Sequence, residues 1–555
     1  MTSPTLRSGS PAVSSDYDVI VLGTGAAGLV AAVRAAHAGA RVGLFEKADR
    51  VGGTTAWSGG TIWAPLNTKG LAAGVQDSRE QVLTYLDSLA HGLLIDETVE
   101  SYVDHAAPML DWLEANTCFR YEPVLGFPDY HPEHPGGLPE GGRSVECPLF
   151  PFADLGPWAD RVTRGYQLDG TFRMSESSMA RNRPEGGVSA EEFARRAVRD
   201  ERGAGQAVTG SLLKAALELG VEPQVGCRAV ALLTEDGRVA GVRVESHDRG
   251  EFEARATGGV VIATGGFEHD AALVRSFLRG PLERTVAVPT NTGDGLRMAM
   301  RVGAALGNMR EAWWVPVIDV DVEGWGTVVW QVNGERSRPH TIMVNRDGRR
   351  FTDEAANYNA FGNAFHVVDV ARFEYVNHPA WQIVDAHFLR TYGLAKHKDP
   401  DNPPAWLVSA PTLRELAERI DVPADALEKT VERWNSNVEG GVDPDFHRGD
   451  SVNDRFWGDS AFGMTPQTTL GPIDTPPYFA VQVRSGCLGT KGGPQTDGHG
   501  RVLDVDGAVI PGLYAAGNAM ASVMGMTYGG HGGTLGPAMT FGWLAGADAA
   551  RRAGA

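Results

Sequence analysis

The stretch YDVIVLGTGAAGLVAAVRAAHAGARVGLFEK, residues 17–47, decides the fold. It begins with an apolar, β-branched run that predicts a strand, continues with an alanine-rich run that predicts a helix, and returns to a strand that ends at Glu46. Gly23, Gly25 and Gly28 form a GxGxxG pattern between the first strand and the helix. These glycines permit a tight turn, close approach of the backbone to a pyrophosphate, and packing of the helix on the strand. The acidic residue can bind ribose hydroxyls, so the stretch predicts a dinucleotide site.

The residues that follow Glu46 indicate which dinucleotide binds. KADRVGGTTAWSGGTIWAP, residues 47–65, is dense in glycine and in hydroxyl side chains. Such residues suit a long, flat ligand that runs over the backbone. A chain that binds NAD usually continues its alternating strands and helices at this point, whereas a chain that binds FAD needs a loop for the flavin. We therefore expect FAD.

Composition restricts the class of partner. The 555 residues include 50 Lys and Arg against 69 Asp and Glu, a formal net charge of −19, which argues against nucleic acid as a partner. The four cysteines form no CxxC pair and have no histidine cluster at metal spacing beside them, so no metal site is expected. Scattered cysteines suit a reducing cytoplasm, the expected location. The sequence contains no apolar run of about 18 residues, so no membrane span is expected. Peripheral association with a membrane stays an alternative.

The sequence predicts one domain interrupted by another. Residues 1–15 are polar and are expected to form a disordered tail. Glycine-rich strand and helix patterns occupy 16–284 and return in 482–555, whereas 285–481 is richer in Trp and Asn. We predict that the outer parts form an FAD-binding domain and the middle part a catalytic domain. The Pro-, Gly-, His- and aromatic-rich residues 120–185 are expected to cover the site.

Four further motifs carry a family resemblance that spans residues 17–550. They are VIATGGF at 261–267, TGDG at 292–295, RDGRRFTDE at 346–354 and GLYAAGN at 512–518. With the glycine motifs, they resemble, in the same order, those of the fumarate reductase and succinate dehydrogenase flavoprotein superfamily. The resemblance implies an α/β fold, in which a Rossmann-like FAD-binding domain is interrupted by an inserted α+β catalytic domain. The active site would lie at the flavin between them.

The glycine motifs and this resemblance together imply a set of cofactor-binding residues. At Thr54 and Thr55, near where some relatives attach FAD through a histidine, the chain has hydroxyl groups, so non-covalent FAD is expected. The final helix, beginning near Thr534, would point its N-terminus at the flavin and stabilise its reduced anion. The full set is Gly23, Gly25, Ala26, Ala27, Gly28, Glu46, Lys47, Gly53, Thr54, Thr55, Ser58, Gly59, Gly60, Ala229, Ala263, Thr264, Gly265, Asp294, Gly517, Asn518, Thr534 and Leu535.

The C-terminal loop indicates the chemistry. NAMASVMGMTYGGHGGTLGPAMTFGW, residues 518–543, contains no Arg or Lys, so a dicarboxylate would lack a bidentate clamp and a fumarate-type reductase is disfavoured. The loop is similar to that of the 3-ketosteroid Δ1-dehydrogenases. The same resemblance extends to GTTAWSGG at 53–60, FPDY at 127–130, AWW at 312–314 and LGTKGG at 488–493.

This second resemblance implies roles for four residues. The O–H of Tyr528 and the N–H of Gly532 would bind the substrate carbonyl and stabilise enolate charge. Tyr358 would remove the α-proton, and Tyr130 would support that base. The β-hydrogen would leave as hydride to flavin N5. The resemblance thus implies FAD-dependent α,β-desaturation of a small hydrophobic cyclic ketone, with 3-oxosteroid 1-dehydrogenation as the first hypothesis.

Several departures from that family keep alternatives open. Gly529 stands where the family usually has proline, His531 where a small residue is expected, and the segments 131–185 and 317–340 are longer than usual. They motivate desaturation of a smaller cyclohexanone-type ketone, or 3-oxo-5α-steroid 4-dehydrogenation. A flavin-binding module without enzymatic activity is a further hypothesis, which the inserted domain and the loop oppose. Since no second dinucleotide fingerprint occurs, electrons are expected to pass to an external quinone or dye-like acceptor.

Overall fold

A computed structural model describes residues 15–167, 170–176 and 188–555. The predicted tail, apart from Ser15, lies outside the described residues, as do 168–169 and 177–187 of the predicted covering segment. The described strands are β1 (Ser15–Leu22), β2 (Val42–Phe45), β3 (Ile62–Trp63), β4 (Glu122–Leu125), β5 (Gly141–Glu146), β6 (Phe150–Pro151), β7 (Glu201–Arg202), β8 (Cys227–Glu235), β9 (Arg238–Ser246), β10 (Gly250–Ile262), β11 (Arg284–Thr285), β12 (Leu306–Gly307), β13 (Ala312–Val322), β14 (Gly326–Gln331), β15 (Thr341–Asn345), β16 (Val368–Asp369), β17 (Glu374–Tyr375), β18 (Ala380–Asp385), β19 (Val408–Ala410), β20 (Tyr478–Thr490), β21 (Gly493–Pro494), β22 (Arg501–Leu503) and β23 (Val509–Ala515).

The described α-helices are α1 (Ala26–His37), α2 (Gly53–Trp57), α3 (Thr68–Ala72), α4 (Arg79–Ala90), α5 (Asp96–Asn116), α6 (Ala190–Arg199), α7 (Ala204–Glu218), α8 (Ala271–Phe277), α9 (Asp294–Arg301), α10 (Tyr358–Asn363), α11 (Ala386–Thr391), α12 (Leu413–Arg419), α13 (Ala424–Glu439), α14 (Val452–Trp457) and α15 (Leu535–Ala553). In the described part of the chain, no helix is both long enough and apolar enough to cross a membrane.

The first seven-stranded sheet carries the predicted βαβ unit. Its main path is β2-β1-β10-β23-β22, with the β8–β9 hairpin attached to β10. β1 pairs in parallel with β2 and β10, and β10 pairs in parallel with β23. The first and last parts of the chain therefore share one sheet. α1 packs against α15, so the end of the chain covers the helix that follows the glycine loop.

The second seven-stranded sheet is built around β20. Its main path is β14-β13-β20-β18-β15, and β11 and β19 also pair with β20. Successive side chains of a strand point to opposite faces, and here both faces are buried. Met343 and Phe479 pack with Phe361 of α10 on one face, whereas Ile342 and Ala480 pack with α12 and α13 on the other. The predicted domain boundaries stay a prediction.

The residue pattern predicts helices over 295–306 and 412–437, and the structure differs from both predictions. The helix predicted over 295–306 ends at Arg301, because Gly303 adopts a positive φ of 85°. The helix predicted over 412–437 is two helices, α12 and α13. They are separated because Asp421 has a φ of 55° and Pro423 lacks the N–H that a continuous helix would use.

Candidate active site

A cavity of about 700 Å³ lies where the carboxyl ends of β1, β10 and β23 meet. This edge is where open parallel sheets bind their ligands. The predicted cofactor residues line it, with the exception of Gly28, and so do Tyr358, Tyr528 and Gly532. Tyr130 does not line the cavity, but its ring packs against those of Tyr358 and Tyr528.

The glycine loop brings α1 directly onto the sheet. Gly23 has a φ of 102°, and a Cβ there would lie 2.4 Å from the carbonyl oxygen of Ala263. A Cβ on Gly28 would lie 1.9 Å from the carbonyl oxygen of Gly23. Gly28 is therefore required for packing and does not face the cavity, as expected of the third glycine of the fingerprint.

Glu46 and Thr55 organise the loop from either side. The Glu46 carboxylate accepts hydrogen bonds from the Thr24 N–H at 3.0 Å, the Thr24 hydroxyl at 2.7 Å and the Ala48 N–H at 2.9 Å. The Thr55 hydroxyl accepts from the Ala26 N–H at 3.0 Å, at the start of α1. Both groups face the cavity while fixing the backbone around it.

A charge cluster stands beside the same part of the cavity. Lys47 Nζ lies 2.6 Å from Thr292 Oγ1 and 2.9 Å from Asp294 Oδ2, and Arg228 binds the same carboxylate at 2.8 Å. These partners favour the anion over the opposing effect of burial, so the pKa of Asp294 is lowered. The sequence placed Lys47 and Asp294 in the cofactor set, and missed Arg228.

The residues of this end fit a dinucleotide. The N-terminus of α1 has no side-chain cap at Gly25 and opens on the cavity, a position suited to phosphate groups. Thr264 Oγ1, on a residue that lines the cavity, is buried without a hydrogen-bond partner among the described residues. A polar ligand would satisfy it.

At the other end of the cavity three tyrosines form one cluster. The ring centroids are 5.4 Å apart for Tyr130 and Tyr358, 5.1 Å for Tyr130 and Tyr528, and 5.6 Å for Tyr358 and Tyr528, all edge to face. The Tyr528 hydroxyl lies 2.9 Å from Thr534 Oγ1. Tyr130 Oη is buried without a hydrogen-bond partner among the described residues.

Burial sets the ionisation of this cluster. It raises the pKa of Tyr358 well above its ordinary value, and the neighbouring Tyr130 and Tyr528 add to the rise. Burial likewise raises the pKa of Tyr130, an effect that the neighbouring Tyr358 hydroxyl and the Arg336 guanidinium oppose. The Tyr358 phenol is therefore protonated at neutral pH in the ligand-free protein.

Gly532 presents its backbone beside Tyr528. Its φ is 99°, and a Cβ there would lie 2.5 Å from Thr61 O and Trp63 N, so only glycine fits without displacing the backbone. In the described part of the chain, its N–H donates to no protein acceptor. This N–H is therefore available to a ligand.

The FPDY segment is anchored to the C-terminal loop. The Tyr130 N–H donates to Gly529 O at 3.1 Å, and the Tyr85 hydroxyl donates to the same carbonyl at 2.6 Å. Asp129 accepts from Arg143 at 2.7 Å and from Trp63 Nε1 at 2.8 Å. A buried network thus sets the position of Tyr130, although its segment lies far from Tyr528 in the sequence.

His531 lines the cavity next to this cluster. Its ring stacks on Phe127 with centroids 4.8 Å apart and an interplanar angle of 13°. Burial lowers its pKa to about 4, so it is neutral at pH 7. Its Nδ1 has no hydrogen-bond partner among the described residues.

Sequence reasoning missed further residues of the site. Trp313, which the motif AWW contains, packs on Tyr528 with centroids 4.6 Å apart and donates from Nε1 to Asn518 Oδ1 at 2.9 Å. Tyr166 and Met174, from the predicted covering segment, line the cavity. Lys491, inside LGTKGG, lies buried beneath Trp313. The motif was visible in the sequence, but nothing in it showed that a lysine would be buried.

One cluster has ligand-type side chains close together. The ligand atoms of His131, Glu133 and His134 lie within 4.8 Å of one another. Asn357 caps α10 with its amide oxygen, so its NH₂ group faces His131 Nε2 at 3.0 Å and donates to it. The ring proton is then on Nδ1, the nitrogen that faces Glu133, and a metal ion bound there would have to displace that proton. The expectation of no metal stays a prediction.

Comparison with known proteins matches this geometry to a family. The family model described as FAD binding domain matches residues 18–535. The 4-oxocyclohexanecarboxylate 2-dehydrogenase of Sinomonas cyclohexanicum is 40% identical over 97% of this chain and 94% of its own length. The 3-oxosteroid 1-dehydrogenase of Mycobacterium tuberculosis is 38% identical over 97% of this chain and 99% of its own.

A solved structure gives the same result. The 3-ketosteroid Δ1-dehydrogenase of Sterolibacterium denitrificans, in complex with 1,4-androstadiene-3,17-dione, superposes with a TM-score of 0.89 at 35% identity and covers 97% of this chain and 100% of that one. The chain belongs to the 3-ketosteroid Δ1-dehydrogenase family. The predicted α/β fold and the resemblance are confirmed. The protein is an FAD-dependent oxidoreductase acting on CH–CH bonds, with the cofactor bound non-covalently.

Proposed function

We propose that this enzyme introduces a double bond beside the carbonyl of a cyclic ketone, with 1-dehydrogenation of a 3-oxosteroid as the first candidate. The observation that carries the proposal is the cluster of Tyr130, Tyr358 and Tyr528 next to the free N–H of Gly532. The Tyr528 hydroxyl and the Gly532 N–H can both donate to a carbonyl oxygen while the Tyr358 phenol reaches the adjacent carbon.

The proposed roles divide the reaction between two carbon atoms. Tyr528 Oη and Gly532 N–H donate to the carbonyl oxygen and stabilise the negative charge that develops as the α C–H bond breaks. Tyr358 accepts that proton at its phenolic oxygen, and the electron pair of the broken bond forms the new C=C bond. Bound FAD supplies the acceptor for the hydride that leaves the β-carbon.

The burial of Tyr358 has a consequence for pH dependence. A base must be ionised to accept a proton, and burial holds the pKa of Tyr358 well above its ordinary value. Only a small fraction of the enzyme is ionised there at neutral pH. We therefore expect the rate of flavin reduction by substrate to rise with pH, since the ionised fraction grows as the pKa is approached from below.

The walls of the cavity bear on the substrate. Met174, Trp330, Phe456 and Trp457 line it and would accommodate an extended apolar ring system. This favours a steroid, the substrate class in the names of the Mycobacterium tuberculosis and Sterolibacterium denitrificans relatives.

A smaller ketone that carries a carboxylate is the second candidate. Lys396 and Lys398 also line the cavity, and a carboxylate is a partner for such cations. The relative from Sinomonas cyclohexanicum is named for a substrate of this kind.

An assay of three ketones tests the proposal. Purified holoenzyme is mixed anaerobically with androst-4-ene-3,17-dione, 5α-androstane-3,17-dione or 4-oxocyclohexanecarboxylate, and bleaching of the flavin is followed before an artificial acceptor is added. The first candidate expects rapid bleaching by a steroid and a product that lacks two hydrogens at C1 and C2. Bleaching by the carboxylate alone supports the second candidate, and loss of hydrogens at C4 and C5 identifies 4-dehydrogenation. Absence of bleaching by all three ketones overturns the proposal.

The remaining partner is the electron acceptor. We propose a quinone or dye-like compound, because the sequence holds one dinucleotide fingerprint. A cytoplasmic location is supported by the four cysteines, which are free thiols. An assay with NAD, a soluble quinone and oxygen as acceptors would identify the acceptor class.

A further inference from the structure

Lys491 is a fully buried lysine that touches the neighbours of two catalytic candidates. It follows the last residue of β20, and its side chain has no solvent exposure. Its Nζ donates to Thr527 O at 2.5 Å and lies 3.4 Å from Asn359 Oδ1. Thr527 immediately precedes Tyr528, and Asn359 immediately follows Tyr358. One ammonium group therefore joins the loop of the proposed carbonyl donor to the helix of the proposed base.

A ring contact extends this link to the side chain of Tyr528. Lys491 Nζ lies 4.3 Å from the centroid of the Trp313 ring, in a cation–π contact. The same ring packs on Tyr528 with centroids 4.6 Å apart. The cation thus lies beneath the wall that supports the proposed carbonyl-binding tyrosine.

The charge of Lys491 is only weakly compensated. Its close contacts are a carbonyl oxygen, an amide oxygen and a ring face. The charged groups that face it are Glu311 and Arg279, and the Glu311 carboxylate is bound by Arg279 at 2.7 and 3.1 Å. Burial lowers the pKa of Lys491 to about 7. A new negative charge in the cavity would be attracted to this ammonium more strongly than in water.

We propose that Lys491 is a positioning residue for the desaturation: its ammonium fixes the Thr527–Tyr528 peptide against α10, and its positive charge stabilises the oxyanion that Tyr528 and Gly532 hold. The proposal rests on the proposed function, because that function supplies the oxyanion. The charge acts while the enolate forms, so it affects the limiting rate of flavin reduction more than the affinity for the ketone.

The first test compares Lys491→Gln with Lys491→Arg on either side of pH 7. Lys491→Gln removes the charge, and we expect its limiting rate to fall about 10–100-fold below pH 7. The deficit relative to wild type should narrow above pH 7, since wild-type Lys491 then loses its proton too. Lys491→Arg keeps its charge at every pH, so its rate relative to wild type should increase across the same interval. The ratio to wild type removes the pH dependence that the proteins share, and any difference left in the Tyr358 titration is itself an effect of the charge at position 491.

A second variant keeps the test decisive if Lys491→Gln does not fold. Asn359→Asp would put a carboxylate next to Nζ and raise the pKa of Lys491. When position 359 is Asp, the limiting rates of the proteins with Lys and with Arg at position 491 should therefore begin to differ at a higher pH. The proposal is overturned if the limiting rate relative to wild type does not change with pH in Lys491→Arg and does not change with pH in Lys491→Gln or in Asn359→Asp. FAD content and the visible spectrum of each holoenzyme serve as folding controls.

A binding measurement separates this proposal from the function itself. Fluorinated phenols resemble a planar enol, and the ¹⁹F shift of a bound phenol reports whether it is ionised. The wild-type holoenzyme should bind the phenolate in preference to the phenol below pH 7, and Lys491→Gln should lose that preference. If wild type reduces no ketone but shows this preference, the proposed function fails, while the stabilisation of a bound anion by the Lys491 charge is still supported. If wild type turns over a ketone and both proteins bind the phenolate equally, the role of Lys491 is wrong.

Discussion

At the dinucleotide end of the cavity, Glu46 and Thr55 bind residues of the loop and helix that the βαβ unit contains. At the tyrosine end, Tyr130, Tyr358 and Tyr528 come from segments far apart in the chain. At the dinucleotide end, the loop and helix lie close together in the sequence, and the Glu46 carboxylate is already hydrogen-bonded to the protein. The tyrosine end is assembled by tertiary packing, and Tyr130 Oη and His531 Nδ1 are buried there without partners among the described residues, as Thr264 Oγ1 is at the dinucleotide end. The arrangement of the glycine loop is thus specified by neighbouring segments, whereas the reacting groups depend on the packing of distant ones.

The sharpest way to break this comparison is Tyr358→Phe. The ring is retained, so packing in the buried cluster should persist, but the proton acceptor is lost. We expect the limiting rate of flavin reduction by the preferred ketone to fall on the order of 10⁴-fold, with FAD content unchanged. Stopped-flow reduction measures the rate. A rate within tenfold of wild type would show that the base lies elsewhere.

Gly532→Ala tests the backbone donor of the same end. The new Cβ would lie 2.5 Å from Thr61 O and Trp63 N at a φ of 99°, so the N–H must move. We expect the limiting rate to fall about 10²–10³-fold, the effect of losing one oxyanion donor. Gly529→Ala is the matched control, because its φ is not positive and its Cβ would meet a side chain, the Trp63 ring at a tight 3.3 Å, and not the backbone. Equal losses in the two variants would indicate general disturbance of the loop.

The contrast between the two ends also explains what the sequence could predict. The GxGxxG pattern and Glu46 lie on consecutive elements, so their spacing alone specifies their arrangement. Nothing in FPDY shows that Gly529 O receives the Tyr130 N–H, because that contact depends on how distant segments pack. The tyrosines were therefore found through a family resemblance, and their roles stay predictions. The burial of Lys491 escaped notice because lysine is rarely fully buried.

Glu46→Gln should affect only the dinucleotide end. The carboxylate accepts two bonds from Thr24 and one from the Ala48 N–H, and an amide offers one acceptor oxygen in place of two. We expect FAD to bind about tenfold more weakly, the result of losing roughly 1–2 kcal/mol of charge-assisted hydrogen bonding. With saturating FAD, the limiting rate should equal that of wild type. Titration of the apoprotein with FAD and stopped-flow reduction measure the two quantities. A lower limiting rate at full FAD occupancy would mean that the two ends are coupled.

The smallest expected effect comes from Tyr130→Phe, which separates stability from catalysis at the tyrosine end. The variant removes a buried hydroxyl that has no hydrogen-bond partner among the described residues. Since leaving such a group unpaired costs about 1–3 kcal/mol, the free energy of unfolding should stay the same or increase by roughly 1 kcal/mol. The limiting rate should fall about tenfold, because Tyr358 loses a donor to its anion. Denaturant unfolding of the holoenzyme and stopped-flow reduction provide the two values. If the variant is instead less stable and equally fast, the Tyr130 hydroxyl stabilises the fold and does not support the base. The unpaired polar atoms at the tyrosine end would then give no evidence of catalysis.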